Sequence, residues 1–303
     1  MITMKKTTIL FILNMFIIQG FAQSNIRLNN FWDNTYYINP ASINTQHLAE
    51  ISLASRKQWL NIDGAPTTFF AFGTTYFEKL KTQVGLKFYQ DKIGYTSTSD
   101  IALSYAYAVK LNREWRMNLG LSASFQMLGY DMNAVNLLNI NDPAVADKLL
   151  NENNFNANVG VEVLYKNFKF GGASQNLFSL FSTINKQYVN TNFLYGMYKQ
   201  NSHELLNLGF GVCGVQYSNF YQVEFSVRNY FELSKENQLH CGIFYKTKNE
   251  MGAILGLDLN NKMSISYSYD FLLGGLSRSY IGSHELIISY QIDRPDKCVN
   301  CDY

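Results

Sequence analysis

The chain alternates, over most of its length, between large apolar residues and small or polar ones. Residues 101–111 are the clearest example, because every second residue is large and apolar and those between are small, polar or charged. A period of two places the two sets on opposite faces of a β-strand. The pattern recurs in six further segments, which are 115–126, 155–165, 206–212, 221–227, 263–271 and 286–292. Weaker alternation begins near residues 51, 68, 84, 168, 192, 239 and 251, so the sequence predicts about fourteen strands.

The first 22 residues have a different pattern. Lys5 and Lys6 precede an apolar run over residues 9–18, and small residues follow at Gly20 and Ala22. This arrangement predicts a secretory signal peptide, with a mature chain that starts directly after it. The apolar run is shorter than the roughly 20 residues that a membrane-spanning helix needs. A buried amphipathic first helix is the alternative interpretation.

The two faces of the predicted strands distinguish a membrane barrel from a soluble β-sandwich. No later stretch approaches eighteen consecutive apolar residues, and the only other backbone that spans hydrocarbon is a closed barrel. A sandwich facing water would carry Lys, Glu and Thr on its polar face, whereas here that face carries mainly Gly, Ser, Ala and Asn. Aromatic residues near strand ends are typical of interfacial girdles, and they are Trp59, Phe77, Trp115, Tyr165, Tyr230 and Tyr290.

We therefore predict an all-β protein, an antiparallel transmembrane β-barrel of about 14 strands in the cell outer membrane. The barrel is expected over residues 48–293, after a periplasmic segment over 23–47 and before a tail over 294–303. An even number of strands places both termini on the same side, which for such barrels is the periplasm. A soluble β-sandwich is the alternative fold.

Composition narrows the function classes. Aromatic residues make up 15% of the chain and charged residues only 16%, which excludes intrinsic disorder. Without Lys5 and Lys6, the remaining 23 basic residues balance the 23 acidic ones. A neutral chain has no basic excess with which to bind a phosphate backbone, so nucleic acid is not an expected partner.

Short motifs occur along the chain in a specific order. They are Asn39-Pro40-Ala41, Arg56-Lys57-Gln58-Trp59, Asp63 to Thr67, Asp91 to Gly94, Ala102 to Tyr107, Asn158-Val159-Gly160, Gly171 to Leu177, Tyr267 to Asp270, Gly275-Leu276-Ser277 and Gly282 to Glu285. In this order they resemble the PorP/SprF family, outer-membrane proteins associated with the type IX secretion and gliding machinery of Bacteroidetes. The resemblance covers nearly the whole mature chain.

The resemblance implies a barrel that helps to export a partner protein or to retain it at the cell surface. The implied partner carries a type B C-terminal sorting domain and is often a large adhesin. In the predicted topology the first and last strands are neighbours, so the motifs at their outward ends meet on one rim. The predicted partner-binding residues are Arg56, Gln58, Trp59, Asp63, Gly64, Pro66, Asp91, Lys92, Gly94, Asp270, Gly275, Leu276, Arg278, His284 and Glu285. The alternative is that the charged members only hold the loops in shape.

Other chemistry has little support in the sequence. Ser283, His284 and Glu285 contain the letters of a catalytic triad, but adjacent strand residues point to opposite faces and cannot form its hydrogen-bond chain. We expect no enzyme, cofactor or metal site. Cys298 and Cys301 form a C-x-x-C pair in the tail without the second pair that a zinc site usually has. In an oxidising periplasm they are candidates for a disulfide, with unpaired thiols as the alternative.

The rival function is that of a passive porin or small-molecule transporter, and an outer-membrane enzyme is a third hypothesis. A porin lumen is expected to carry opposed charges. The predicted inner faces carry Gly, Ser and Ala with few charges, which favours a narrow or plugged interior.

Overall fold

The computed structural model describes residues 28–130, 152–181, 189–200, 207–273 and 282–294. They form a closed antiparallel barrel of 14 strands, which confirms the predicted fold class and strand number. The predicted signal peptide and the cysteine pair of the tail lie outside the described residues, as do Gly275, Leu276 and Arg278.

Each strand pairs with its neighbours in sequence, and β1 pairs with β14 to close the barrel. The closing pair is in register at Leu53 and Ile288. The strands are β1 Ala49–Lys57, β2 Thr67–Phe77, β3 Thr82–Ile93, β4 Thr96–Lys110, β5 Trp115–Tyr130, β6 Glu152–Tyr165, β7 Phe168–Gln175, β8 Thr191–Lys199, β9 Leu208–Tyr217, β10 Phe220–Glu232, β11 Gln238–Lys246, β12 Glu250–Leu259, β13 Met263–Leu272 and β14 Ser283–Ile292.

The two ends of the barrel are called the terminus end and the far end. The terminus end is the end at which β1 begins at Ala49 beside Ile292, the last residue of β14. The far end is the opposite one, where β1 ends at Lys57 beside His284. The connections from β1 to β2, from β3 to β4 and from β13 to β14 all lie at the far end.

The connection between β3 and β4 is shorter than expected. The sequence predicts a long loop over residues 90–100, but β3 continues to Ile93 and β4 starts at Thr96. Gly94 adopts a φ of 55°, a left-handed conformation that glycine tolerates without steric cost, and this allows a two-residue turn. Asp91 therefore belongs to a strand and points to the inside of the barrel, where it is buried.

The two faces of the strands follow the alternation in the sequence. Large apolar side chains cover the outside, as Leu103 and Leu121 show with exposed fractions of 59% and 63%. Their neighbours Ala102 and Ser104 point inward and are buried. A closed sheet with this apolar outer surface matches the solvent properties of a lipid bilayer.

The inside carries more charge than predicted, so the expectation of few lumen charges was wrong. The buried charged residues of the strands are Glu50, Arg56, Lys87, Asp91, Asp100, Glu162, Glu224, Arg228, Lys246, Asp270 and Glu285. Eight of the fourteen strands contribute one or two of them each, which makes the charge look sparse along the sequence. Closure of the sheet gathers them on one enclosed surface.

Among the described residues, no helix has the length and apolar character needed to cross a membrane.

The outward face of β4 gives a direct test of the bilayer-facing surface. We expect Leu103→Arg to destabilise the folded barrel in liposomes by about 2–4 kcal/mol, because it places a charge near the middle of a spanning strand. Leu111→Arg is the control, since Leu111 follows the end of β4 at Lys110 and its replacement should cost about 0–1 kcal/mol. Chemical unfolding of both variants measures the difference. Equal losses would contradict a lipid-facing surface at Leu103.

Candidate functional site

The interior of the barrel is filled by the chain that precedes β1. Residues 28–47, called the internal segment below, begin near the far end and leave at the terminus end. Asn29 contacts Glu285 and Asp270 near the far end, whereas His47 lies 2.9 Å from the Asp293 carboxylate at the terminus end. The prediction of a periplasmic segment over residues 23–47 is therefore corrected for residues 28–44, which lie within the barrel.

An apolar core surrounds the first half of the internal segment. Leu28 and Phe31 are fully buried, and Trp32, Tyr36, Tyr37 and Ile38 are nearly so. They pack against inward side chains of several strands, which are Ala54, Phe70, Phe72, Phe193, Tyr195, Met197, Cys213, Val215 and Ile287. Burial of so many large side chains is the main force that holds the segment inside.

The segment makes one short 3-10 helix at Thr35–Tyr37. The Asn34 side-chain oxygen accepts a hydrogen bond from the backbone N–H of Tyr36 at 2.9 Å and caps this turn. The Asn34 amide donates to Glu50 at 2.6 Å, and Asn44 donates to the other oxygen of the same carboxylate at 2.6 Å. Glu50 of β1 thus fixes two points of the internal segment.

Two glycines make room for the motif Asn39-Pro40-Ala41. A Cβ atom added to Gly120 of β5 would lie 2.3 Å from the backbone nitrogen of Ala41. One added to Gly160 of β6 would lie 1.9 Å from the side-chain oxygen of Asn39. Such distances are far inside van der Waals contact, so only glycine allows the backbone of the segment to approach these strands.

Asn39 also enters a buried polar network. Its amide donates to the Val161 carbonyl and to the Tyr195 hydroxyl, each at 3.0 Å. The Tyr195 hydroxyl in turn donates to Glu162 at 2.7 Å, and Asn118 donates to the same carboxylate at 3.2 Å. Each donor reduces the cost of burying the Glu162 carboxylate away from water.

A second charged cluster lies inside the far end and includes three predicted site residues. The Arg56 guanidinium lies 2.7 Å from an Asp270 oxygen, 3.3 Å from a Glu285 oxygen and 3.8 Å from Glu250. The backbone N–H groups of Asn29 and Asn30 donate to the two oxygens of Glu285 at 2.7 and 3.0 Å. Arg56, Asp270 and Glu285 are almost completely buried. In this structure they hold the internal segment and present no surface to another protein.

A third cluster ties the segment to β10 and β11. Arg228 lies 2.7 Å from Asp33, and its guanidinium carbon lies 5.0 Å from the centre of the Trp32 ring. The two ring nitrogens of His240 are each 3.7 Å from a carboxylate, one of Asp33 and the other of Asp258. Trp32 donates to the Ser226 hydroxyl at 2.6 Å. Both charged and aromatic residues of the segment therefore have partners on the wall.

The first two far-end connections touch each other, whereas the predicted meeting of the first and last loops lies outside the described residues. The Gly94 N–H donates to the Gly64 carbonyl at 2.7 Å and joins the two connections. Within the first connection, the Gln58 N–H donates to the Pro66 carbonyl at 2.9 Å. Gly64 has a φ of 73°, and a Cβ added there would lie 3.1 Å from the Gly94 Cα. Asp63, Gly64 and Gly94 are exposed. They form a small accessible surface at the far end.

The other predicted site residues divide between the two faces. Trp59 is partly buried with a φ of 49°, and Lys92 is exposed. Asp91 is buried and accepts a hydrogen bond from the Thr68 hydroxyl at 2.5 Å. His284 points to the outside, where Nδ1 lies 2.5 Å from the Tyr267 hydroxyl, while Ser283 and Glu285 point inward. The separation of these three adjacent residues agrees with the argument against a catalytic triad.

The internal segment was missed by sequence reasoning because it has no strand periodicity and many Asn residues. The available signal lay in the motifs: Asn39-Pro40-Ala41 meets the glycine of Asn158-Val159-Gly160, and Gln175 of the Gly171 to Leu177 motif donates to the Ile38 carbonyl at 2.9 Å. The motifs thus mark contacts between segment and wall. Over the described part of the chain, no group of His, Cys, Asp and Glu residues is arranged to hold a metal ion.

Comparison with known families agrees with this arrangement. The family model described as type IX secretion system membrane protein PorP/SprF matches residues 20–290, which is most of the chain. The chain belongs to the PorP/SprF family. As a PorP/SprF protein with a transmembrane barrel fold, it is assigned to the outer membrane and to association with the type IX secretion machinery. No curated protein matches the chain significantly.

Solved structures share the barrel fold at low sequence identity. A deltaS2S3 mutant of the TodX monoaromatic hydrocarbon channel has a TM-score of 0.53 and 8% identity, covering 86% of this chain and 94% of its own. The CymD monoaromatic hydrocarbon channel has a TM-score of 0.52 and 11% identity, covering 86% and 93%. The Acinetobacter baumannii outer membrane protein Omp33 has a TM-score of 0.45 and 11% identity, covering 81% and 98%. At these identities the first two show a common fold and nothing about function.

Gly120 tests whether the internal segment fills the barrel. We expect Gly120→Ala to reduce the free energy of unfolding by about 1–3 kcal/mol, because its methyl group needs space that Ala41 occupies. Chymotrypsin should also cleave the aromatic residues of the segment faster in this variant, as mass spectrometry would detect. Gly214→Ala is the matched control, since the nearest heavy atom to its added Cβ is 3.8 Å away. Unchanged stability and cleavage in both variants would contradict the close approach.

Proposed function

We propose that this barrel is needed for export or surface attachment of a partner protein, an adhesin with a type B C-terminal sorting domain, by the type IX secretion and gliding machinery. Membership of the PorP/SprF family supports the link to secretion. The filled interior is the observation that supports a binding mechanism rather than passage of the partner through the barrel. A barrel whose lumen is occupied by its own residues 28–44 has no free path for a folded cargo, so its contribution is binding.

We infer that the far end faces outward and that both termini lie in the periplasm, as the even number of strands favours. The binding surface in this proposal is the rim built from the first, second and last far-end loops. Its accessible members are Asp63, Gly64, Lys92 and Gly94, and the sequence places Gly275, Leu276 and Arg278 in the last of these loops. Mutual contact of the first two loops supports a rim that is ordered before the partner arrives, which lowers the entropic cost of docking.

The buried cluster of Arg56, Asp270 and Glu285 has a supporting role in this proposal. It connects β1 to β13 and β14 beneath the first and last loops. Asn29 hydrogen-bonds to both acidic members, so the internal segment steadies the strands that carry the rim. These three residues act as positioning residues, and the exposed loop residues make the contact.

The export proposal is tested in cells that lack the gene and carry it back on a plasmid. Deletion is expected to remove the adhesin from the surface fraction, and the unaltered gene to restore it. A variant with two charge reversals, Asp63→Lys and Lys92→Glu, should still assemble as a barrel. It should reduce the amount of adhesin at the cell surface several-fold, because it inverts two exposed charges of the rim. Lys248→Glu is the control, since Lys248 is exposed in the separate turn between β11 and β12. Normal surface display after deletion would refute the export role, and normal display by the double variant would refute the rim.

A passive porin or small-molecule transporter is the rival function, because the barrel fold that this chain shares with the hydrocarbon channels is compatible with it. The filled lumen predicts that the intact purified barrel is electrically silent in planar bilayers. A variant that lacks residues 28–47 should open steps of conductance, because the strands then enclose a vacated interior whose wall carries charged as well as apolar side chains. Stable conductance by the intact protein would favour the porin hypothesis.

A further inference from the structure

A cavity of about 600 Å³ lies in the mouth of the barrel at the terminus end. Its walls are the terminus ends of β2, β4, β5 and β6 with the turns after β2, β4 and β6, together with Arg294 after β14 and Thr45 of the internal segment. Lys81, Lys110 and Arg113 on its rim are exposed. The volume falls in the range of pockets that hold small ligands or a few peptide side chains. None of the residues assigned above to the far-end rim contributes to it.

The lining of this mouth pocket is strongly basic in a chain that is otherwise close to neutral. Its charged members are the six cations Lys81, Lys110, Arg113, Arg116, Lys166 and Arg294 and the two carboxylates Glu78 and Glu114. Both carboxylates are already paired, Glu78 with Arg294 at 2.9 Å and Glu114 with Lys166 at 3.1 Å. Within the part of the chain that the structure describes, four cations of the pocket have no carboxylate within salt-bridge distance. Cations gathered on a concave surface attract negatively charged ligands.

The floor of the pocket holds two guanidinium groups in fixed positions. Arg116 donates to the Thr45 hydroxyl at 2.8 Å, and Arg294 donates to the Thr45 carbonyl at 2.9 Å. The Arg294 guanidinium also lies 5.4 Å from the centre of the Tyr76 ring. The Nε atom of each arginine is buried and donates to no acceptor among the described residues. Both side chains nevertheless remain partly exposed, so the guanidinium groups can donate to an oxyanion in the pocket.

The position of the lining excludes the surrounding bilayer as the source of the ligand. Tyr76, Ala108 and Arg116 lie on the inner face of their strands, and Thr45 belongs to the internal segment. The barrel wall therefore separates the pocket floor from lipid headgroups, and a ligand must enter from the water at the terminus end. The rim cations are distributed over the turns after β2 and β4, which suits several linked carboxylates better than a single small anion.

From these observations we propose that the mouth pocket binds an acidic peptide segment of a soluble partner protein. Carboxylates of the segment pair with Lys81, Lys110 and Arg113 at the rim, and one reaches the guanidinium groups of Arg116 and Arg294. This pocket lies at the end of the barrel opposite the rim of far-end loops. Its binding of an acidic segment does not depend on the export role proposed above, and purified protein is sufficient to test it.

The test measures binding of a labelled peptide to the full chain in detergent, with fluorescence anisotropy at low salt as the readout. The probe is a labelled hexapeptide of alternating aspartate and glutamate, and the neutral comparison is the matched asparagine and glutamine peptide. We expect saturable binding of the acidic probe that weakens as salt is added, because exposed charge pairs are screened. The double variant Lys110→Glu with Arg113→Glu should weaken it about tenfold or more. Lys57→Glu with Lys248→Glu is the matched control, because these exposed lysines are at the far end.

Separate arms distinguish other ligands. Inorganic phosphate and phosphatidylglycerol dissolved in the same detergent are offered to the same proteins, and we expect neither to displace the acidic peptide at equal charge concentration. Full displacement by phosphate would show that the pocket binds a small anion, which overturns the proposal. Displacement by phosphatidylglycerol alone would show that it binds lipid, which also overturns the proposal. Equal weakening by the mouth and control variants would show non-specific attraction, which also overturns it. Circular dichroism of each variant confirms that the barrel is folded.

Discussion

The pairing of β1 with β14 is the contact on which the rest of the structure depends. Hydrocarbon supplies no hydrogen-bond partners, so a sheet that spans it must leave no strand edge open. Nine residue pairs join β1 and β14, from Ala49 with Ile292 to Lys57 with His284. Closure fixes an outside that must be apolar and an enclosed inside that either water or protein can occupy. The chain fills it with residues that precede the first strand.

Filling the inside requires both apolar and charged contacts. Aromatic side chains of the internal segment bury apolar area against β2, β8 and β9. Polar groups of the segment donate hydrogen bonds to inward carboxylates such as Glu50 and Glu285. A carboxylate such as Glu285, held by Arg56 and by two backbone N–H groups, costs far less to bury than an isolated one. The polar network thus determines where the segment lies, while apolar burial supplies most of the favourable free energy.

The fold was predictable from the sequence because period-two alternation depends only on neighbouring residues. The strand number and the pairing of the first and last strands were predicted correctly. The position of residues 28–47 was not, since contacts such as Asn29 with Glu285 join residues 256 positions apart. The turn at Gly94 was also missed, because polar residues from Gln90 to Ser99 resemble a loop although they continue two strands. Of the predicted site, the motifs were recognised, but the inward direction of Arg56, Asp270 and Glu285 required the closed structure.

The tight fit of Asn39 and Ala41 against Gly160 and Gly120 has an evolutionary consequence. Replacement of either glycine by a larger residue places a side chain in volume that the internal segment already occupies. Such a replacement is tolerated only if a residue of the segment becomes smaller at the same point. The two partners are separated by 79 and 121 positions in sequence, yet selection acts on them together. Across related barrels, the two glycine positions should therefore covary with the positions of Asn39 and Ala41. The sequences of the strands cannot diverge independently of the sequence of the internal segment.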